Sequence, residues 1–139
     1  MLLDGLIVGI DHVGIAAGSL DDGVWTKLLG LPIAHRETVA AQKVEAAFLD
    51  PREGGASIEL IAPTAGNESL ARFLEKRGGG LHHLAIAVSD IREALSRLKT
   101  AGIPLVDQEP RPGARGHLVA FLHPKATGGT LVELVERKH

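Results

Sequence analysis

The chain has 139 residues, of which 45% are hydrophobic, 23% charged and 3% aromatic, and its formal charge at pH 7 is -2. This composition predicts one small globular domain and excludes a disordered tail. Because acidic and basic residues nearly balance and few aromatic side chains could stack on bases, we expect no nucleic-acid partner.

The same sequence argues against membrane association and export. Its apolar stretches are far shorter than the roughly 20 residues of a membrane helix. Its first residues lack the basic and apolar regions of a secretion signal. We therefore expect a cytoplasmic protein. The chain contains no cysteine, which excludes disulfides, thiolate catalysis and cysteine-ligated zinc.

The two halves of the chain repeat each other. Three segments recur in the same order, at offsets that grow from 71 to 74 residues: IDHVGIA at 10–16 with LHHLAIA at 81–87, AFLDP at 47–51 with AFLHP at 120–124, and SIEL at 57–60 with LVEL at 131–134. Neither half would bury much surface alone. We therefore predict a single domain over 1–139, built from two modules at about 7–62 and 81–136 that share a core.

Each module is predicted to run in the order βαβββ. In the first module a strand precedes a helix, because Leu20, Val24 and Leu28 recur at fourfold spacing between Ser19 and Gly30. Apolar runs bounded by Gly and Pro then predict three strands, near 33–39, 43–50 and 56–62.

A helical linker at about 63–80 is predicted to join the modules, with Asn67 as its N-cap and Gly78 at its end. In the second module, Asp90 and Glu93 form a predicted capping box for a helix that ends before Gly102. The apolar stripe of this helix consists of Ile91, Ala94, Leu95 and Leu98. Strands are predicted near 104–107, 117–122 and 129–135.

The repeat predicts a metal site. It puts His12 and His83 at the same place in the two opening strands, and Glu59 and Glu133 at the same place in the two closing strands. Two imidazoles and two carboxylates suit a first-row divalent ion such as Co²⁺, Mn²⁺, Ni²⁺ or Zn²⁺. His82 is the alternative to His83, although alignment with His12 favours His83. The remaining histidines are expected at the surface or in loops: His35, His117, His123 and His139.

Glu45 breaks the symmetry of the repeat, since its counterpart in the second module is Leu118. A carboxylate within an apolar strand costs free energy unless it is paired or functional. Glu45 is therefore a candidate general base. The alternative is a carboxylate that faces outward at the edge of a sheet.

The sequence resembles the methylmalonyl-CoA epimerase family, within the vicinal oxygen chelate superfamily that includes glyoxalase I and extradiol dioxygenases. The resemblance covers nearly the whole chain. Its strongest stretches are IDHVGIA, KVEAAFL, IELIAP, ARFLEKRGGGLHHLAIAV and PRPGARGHLVAFLHPKATGGTLVELVE. It implies an α+β fold in which the paired βαβββ modules form a cupped, open mixed sheet around a metal.

Carried over residue by residue, the resemblance implies that one divalent ion per chain, with Co²⁺ expected, is held by His12, Glu59, His83 and Glu133. It implies an isomerase that interconverts (2R)- and (2S)-methylmalonyl-CoA through a metal-stabilised enolate. Glu45 and Glu133 would be the acid/base groups on opposite faces of the reacting carbon. This chain has Glu59 where family members can have Gln, and its turn at 115–117 departs from the usual pattern.

Three cations near the last strands, Arg111, Arg115 and Lys125, are candidate contacts for the phosphates of coenzyme A. The alternative for them is a solvated loop. The resemblance also implies a homodimer.

Two other functions remain as alternatives. A glyoxalase I-like lyase acting on a glutathione hemithioacetal would use the same ligand set. A metal-free ligand-binding protein of this fold predicts absent or scrambled ligands. An extradiol dioxygenase is disfavoured, because its three-ligand iron site must leave room for both catechol and oxygen.

Overall fold

A computed structural model describes residues 1–20, 23–49 and 52–138 and divides the chain into two compact units. The first unit is His12–His82, and the second combines Met1–Asp11 with His83–His139. These bounds differ from the predicted modules, because the N-terminal segment belongs with the second unit. Its Leu6 is buried in a cluster with Ile91 and Leu95, and the Leu6 carbonyl accepts a 2.8 Å hydrogen bond from the Ser89 amide.

The secondary structure follows the predicted order. The strands are β1 (Ile7–Ala16), β2 (Ile33–Val39), β3 (Val44–Leu49), β4 (Ser57–Pro63), β5 (Gly80–Val88), β6 (Arg111–Pro112), β7 (Leu118–Phe121) and β8 (Val132–Glu136). The helices are α1 (Glu68–Arg77) and α2 (Ile91–Thr100), and short helical segments occupy Val24–Leu28, Ala40–Gln42, Ala114–Gly116 and Pro124–Thr127. Within the described residues, no helix has the length and apolar character needed to cross a membrane.

Both units have the same strand order. In the first unit it is β2-β3-β4-β1, with β1 parallel to β4 and the other pairs antiparallel. In the second unit it is β6-β7-β8-β5, with β5 parallel to β8 and the other pairs antiparallel. The shared pattern agrees with the duplication inferred from the sequence.

One face of each unit carries its apolar core. In the first unit, Ala47 and Leu49 of β3 pack with Leu60 and Ala62 of β4 and with Ile15 of β1. Successive residues of a strand point to opposite faces. The side chains between these core residues therefore lie on the other face, and that face holds the candidate site.

The helix predicted after β1 is wrong in part. The described residues show only the five-residue π-helical segment Val24–Leu28, while residues 21 and 22 of that prediction lie outside the described ranges. Leu20 is buried, but Val24 is 52% exposed and Leu28 is 76% exposed. Trp25, which the fourfold spacing omits, packs against the core instead.

The two α-helices begin as predicted. The Asn67 side chain accepts a hydrogen bond from the Leu70 amide, and the Asp90 side chain accepts one from the Glu93 amide. The other half of the predicted capping box differs, because the Glu93 carboxylate accepts a 3.0 Å hydrogen bond from Arg97.

The strand predicted at 104–107 is also wrong. The bridge of Leu105 to Leu122 takes its place, and β6 follows later in the chain. Pro104 explains the difference, because its nitrogen carries no hydrogen to donate to a neighbouring strand.

Candidate metal and substrate site

In the first unit, a buried imidazole meets a buried carboxylate. His12 and Glu59 are each 4% exposed, and Nε2 of His12 lies 3.2 Å from Oε1 of Glu59. The parallel register of β1 and β4 pairs Gly14 with Glu59, so His12 and Glu59 lie on the same face. Phe48 packs its ring edge-on against His12, with centroids 5.6 Å apart and planes at 86°.

The second unit repeats this arrangement. His83 is 7% exposed and Glu133 is 3% exposed, with Nε2 of His83 3.8 Å from Oε1 of Glu133. Phe121 packs edge-on against His83 at the same centroid distance of 5.6 Å and the same angle of 86°. His82 lies elsewhere, with its ring 4.9 Å from that of Phe73. The structure therefore pairs His83, and not His82, with Glu133.

The chemistry of these donors fits a divalent metal ion. Charged or polar side chains are rarely buried without a partner, and each unit buries one imidazole and one carboxylate on the same face. His12, Glu59 and His83 each offer one ligand atom to a metal. Nitrogen and oxygen donors of this kind suit first-row divalent ions.

Glu45, the predicted acid/base group, lies on β3, between β2 and β4. In the antiparallel pairing of β3 with β4, Glu45 lies opposite Ala62, which belongs to the core face. Phe48 lies opposite Glu59 on the other face. Glu45 and Phe48 are an odd number of residues apart, so alternation directs Glu45 away from the face that carries His12 and Glu59. The acid/base role of Glu45 stays a prediction, and β3 is not an edge strand, because it lies between β2 and β4.

A second imidazole and carboxylate pair lies on the site face of the first unit. β2 pairs His35 with Phe48 and Glu37 with Ala46, and Nε2 of His35 lies 2.8 Å from Oε1 of Glu37. Their side chains are 39% and 29% exposed. His35 therefore lies in a strand and not in a loop, and its side chain is partly exposed. The alternation along β2 puts His35 and Glu37 on one face of the strand. Only the register of β2 with β3 shows that this is the site face.

The other three histidines differ in their surroundings. Nδ1 of His117 accepts a 2.9 Å hydrogen bond from the Lys138 amide, and Nδ1 of His123 accepts a 3.1 Å hydrogen bond from the Lys125 amide. Both imidazoles therefore accept hydrogen bonds from backbone amides of the second unit. His139 lies outside the described residues.

The three predicted substrate cations all belong to the second unit. Arg115 and Lys125 are exposed, and Arg115 holds a left-handed conformation with φ of 60°. Arg111 is half-buried, with Nε 3.4 Å from the carboxylate of Asp107. Arg111 pairs with Val119 in β7, which places it on the same face as Phe121 and Glu133.

Known proteins are similar to this chain in sequence and fold. Residues 11–121 match the model of the Glyoxalase/Bleomycin resistance protein/Dioxygenase superfamily. The ethylmalonyl-CoA/methylmalonyl-CoA epimerase of Cereibacter sphaeroides is 36% identical over 93% of this chain and 98% of its own.

Two solved structures are similar over most of their length. The methylmalonyl-CoA epimerase of Mycobacterium tuberculosis superposes with a TM-score of 0.91 and 38% identity, over 100% of this chain and 94% of its own. A methylmalonyl-CoA epimerase in complex with methylmalonyl-CoA and NH4+ gives a TM-score of 0.84 and 34% identity, over 94% of both chains. These similarities confirm the predicted α+β fold of paired βαβββ modules.

Proposed function

Because the chain belongs to the methylmalonyl-CoA epimerase family of the glyoxalase superfamily, we propose that it interconverts (2R)- and (2S)-methylmalonyl-CoA. The observation that carries this proposal is the similarity, over nearly the whole chain, to an epimerase structure that contains methylmalonyl-CoA. The buried His and Glu pairs of the two units support it. The reaction develops negative charge on oxygen, and a divalent ion held by these pairs would stabilise that charge.

The proposed metal ligands are His12 and Glu59 from the first unit and His83 and Glu133 from the second. Together they would hold one divalent ion per chain, with Co²⁺ as the expected ion. Such an ion supplies positive charge that lowers the free energy of an enolate oxygen. The edge-on rings of Phe48 and Phe121 pack against the two imidazoles and restrict their rotation.

The proposed reaction is a proton transfer at the carbon between the thioester and the free carboxylate. A base removes the hydrogen from this carbon, and the electron pair of the C–H bond moves into the thioester carbonyl. A proton then returns to the opposite face of the carbon, which inverts it. We assign the proton transfer on one face to Glu133, a buried carboxylate on β8, and the transfer on the other face to Glu45 of β3.

Recognition of the coenzyme is assigned to the cations of the second unit. Arg115 and Lys125 are exposed and able to meet phosphate groups. Arg111 shares its face with Glu133, and its link to Asp107 limits the freedom of the guanidinium. These cations would bind the nucleotide part of the substrate and leave the acyl group at the metal ligands.

The proposed homodimer is supported by exposed apolar residues of β1. Ile7, Val8 and Ile10 are 53%, 59% and 53% exposed, and a second copy of the chain would remove this surface from water. Sedimentation equilibrium should give a dimer mass, and Val8→Lys should give a monomer. A monomer mass for the unmodified chain at micromolar concentration would contradict this part of the proposal.

The activity is tested by proton NMR of methylmalonyl-CoA in D₂O. We expect the metal-stripped protein to be inactive, and added Co²⁺ to start both the loss of the C2 hydrogen signal and the formation of the other epimer. If no divalent ion produces exchange, the epimerase assignment fails. A glutathione hemithioacetal would then be the next substrate to test, since a glyoxalase I-like lyase would use the same ligands.

A further inference from the structure

Lys138 is an exposed cation of the second unit, two residues after the end of β8. We propose that its ammonium group binds a phosphate of coenzyme A beside the turn at 114–117, and that the imidazole of His117 positions it. This inference rests on the proposed function, because the ligand is the coenzyme part of the same substrate.

The side chain of Lys138 lies against this turn. A Cβ atom built on Gly116 would lie 3.4 Å from Cδ and 3.8 Å from Nζ of Lys138. The methylene groups and the ammonium of the lysine therefore extend along the turn and not away from it. Gly116 directly follows Arg115, an exposed residue already proposed to contact the coenzyme. The fold thus brings two cations from separate segments of the second unit to one turn.

His117 holds the backbone of Lys138 at the turn. Nδ1 of His117 accepts a 2.9 Å hydrogen bond from the Lys138 amide. The His117 amide donates a 3.1 Å hydrogen bond to the carbonyl of Ala114, and the His117 carbonyl accepts one of 2.9 Å from the Gly113 amide. The imidazole is therefore anchored in the turn that it joins to Lys138. A cation with a restrained backbone loses less conformational entropy when it binds a phosphate.

The two units differ at this contact. In the repeat, Thr64 corresponds to Lys138 and Val44 corresponds to His117. The Thr64 amide donates a 3.0 Å hydrogen bond to the backbone carbonyl of Lys43. The second unit thus has a side-chain acceptor where the first has a main-chain acceptor, and a lysine where the first has a threonine. Because the main-chain contact already satisfies the fold of the first unit, the two changes favour a role in binding.

The charged residues that precede Lys138 have partners elsewhere. The Glu136 carboxylate accepts a 2.9 Å hydrogen bond from the Ile91 amide at the start of α2. Arg137 donates a 2.7 Å hydrogen bond from Nε to the carboxylate of Asp11. Neither of these acidic side chains binds the ammonium of Lys138. Two cations beside one turn produce a positive potential that attracts a phosphate group.

The length of β7 fits the length of the coenzyme. His117 directly precedes β7, and Phe121 at the other end of β7 packs against the proposed ligand His83. Four steps along a strand span roughly 13 Å. The pantetheine chain of coenzyme A can bridge this distance, so the acyl group can reach the metal ligands while the phosphates lie at the turn.

The test measures the binding of coenzyme A to the metal-loaded protein by isothermal titration calorimetry, and the turnover of methylmalonyl-CoA. We expect Lys138→Gln to raise both Kd for coenzyme A and KM by about threefold to tenfold, with kcat nearly unchanged. Methylmalonyl-pantetheine has no phosphate, so the unmodified protein and Lys138→Gln should turn it over equally.

Lys99→Gln is the matched control. It removes the same charge from the same unit, at a residue whose ammonium lies 3.3 Å from the carboxylate of Glu109. Kd for coenzyme A should stay within about twofold in this variant. An increase equal to that of Lys138→Gln would assign the effect to net charge and overturn the inference.

Salt separates a phosphate contact from a structural effect of Lys138. Raising the ionic strength shortens the distance over which exposed charges interact. The difference in Kd between the unmodified protein and Lys138→Gln should therefore shrink as salt is added. A difference that is constant with salt would contradict a charge contact.

Two variants of His117 test the positioning role. His117→Ala should weaken coenzyme A binding, and His117→Asn should restore much of it, because the Asn carbonyl can accept the Lys138 amide. Combined with Lys138→Gln, His117→Ala should cause no further loss, since the histidine acts through the lysine. Additive losses would contradict the positioning role. Circular dichroism checks that each variant is folded, and Lys138→Gln decides the main point if His117→Ala is not.

The outcomes distinguish this inference from the proposed function. If the unmodified protein binds coenzyme A but does not exchange the C2 hydrogen of methylmalonyl-CoA, the epimerase assignment fails, and a weaker Kd in Lys138→Gln still supports the phosphate contact. If the unmodified protein epimerises and Lys138→Gln binds coenzyme A with unchanged Kd, the assignment of Lys138 is overturned. A protein that neither binds coenzyme A nor exchanges the hydrogen would overturn both.

Discussion

His12 and Glu59 place a nitrogen and an oxygen 3.2 Å apart in the interior of the first unit. Both atoms belong to groups that lose hydration on burial, and the contact between them recovers only part of this cost. A divalent cation between such donors would replace the lost hydration. Binding of such a cation would thus raise the stability of the unit.

The first prediction concerns this coupling. Removal of divalent ions by a chelator should lower Tm, and Co²⁺ should restore it. At a free ion concentration a hundredfold above Kd the stabilisation is about 2.7 kcal/mol, which corresponds to about 10 °C for a domain of this size. Differential scanning calorimetry measures the shift. His83→Ala should abolish the response to Co²⁺, and an equal response in this variant would exclude His83 as a ligand.

The second prediction concerns Arg115 and Lys125, the two exposed residues among the proposed coenzyme-binding cations. Arg115→Gln and Lys125→Gln should each raise KM for methylmalonyl-CoA about threefold to tenfold, with kcat nearly unchanged, because an exposed charged contact contributes about 1 kcal/mol. The same variants should act like the unmodified protein on methylmalonyl-pantetheine, which lacks the nucleotide. A raised KM for this shorter substrate would show that the cation does not act through the coenzyme phosphates.

The third prediction concerns the close approach of Gly113 to β7. A Cβ atom built on Gly113 would lie 2.6 Å from Cγ1 of Val119. Gly113→Ala should therefore destabilise the protein by about 1–3 kcal/mol, as expected for overpacking in a filled core. Urea denaturation of this variant and of Gly113→Ala combined with Val119→Ala provides the measurement. The double variant should be more stable than the sum of the two single changes, and simple additivity would rule out the contact as the cause.

The fourth prediction compares the caps of the two α-helices. Asp90→Ala removes one cap hydrogen bond and should cost about 1 kcal/mol. Asn67→Ala removes a cap and also the amide that donates to the carbonyls of Gln42 and Lys43, at 3.3 and 3.0 Å. Because those carbonyls belong to the turn between β2 and β3, Asn67→Ala should cost more than Asp90→Ala. Equal losses of unfolding free energy would show that the link to this turn contributes nothing.

Much of the fold and the ligand pairs could be predicted from the sequence because they depend on periodicity and duplication. The caps at Asn67 and Asp90 are local signals, and the equivalence of His12 with His83 follows from the repeat. The face of Glu45 could not be predicted in the same way. It depends on whether Glu45 or Phe48 shares a side of β3 with Glu59, which requires the register between strands.

The same limit explains the other differences. Val24 and Leu28 fit a helical stripe by spacing, but they are exposed, and the partly buried Trp25 packs against the core instead. The pairing of His35 with Glu37 is a contact along one strand, but the face on which it lies depends on the register of β2 with β3. Spacing along a chain describes neighbours within an element and not the element beside it.

The membership of Met1–Asp11 in the second unit has a consequence for biosynthesis. Residues 12–82 are continuous, so all of the first unit is synthesised before the ribosome reaches the second half of the chain. The second unit is discontinuous, because Leu6 packs against Ile91 and Leu95 and its carbonyl accepts a hydrogen bond from the Ser89 amide. Residues 1–11 are therefore synthesised well before the residues against which they pack. During this interval the apolar side chains of Ile7, Val8 and Ile10 are a candidate binding segment for a chaperone.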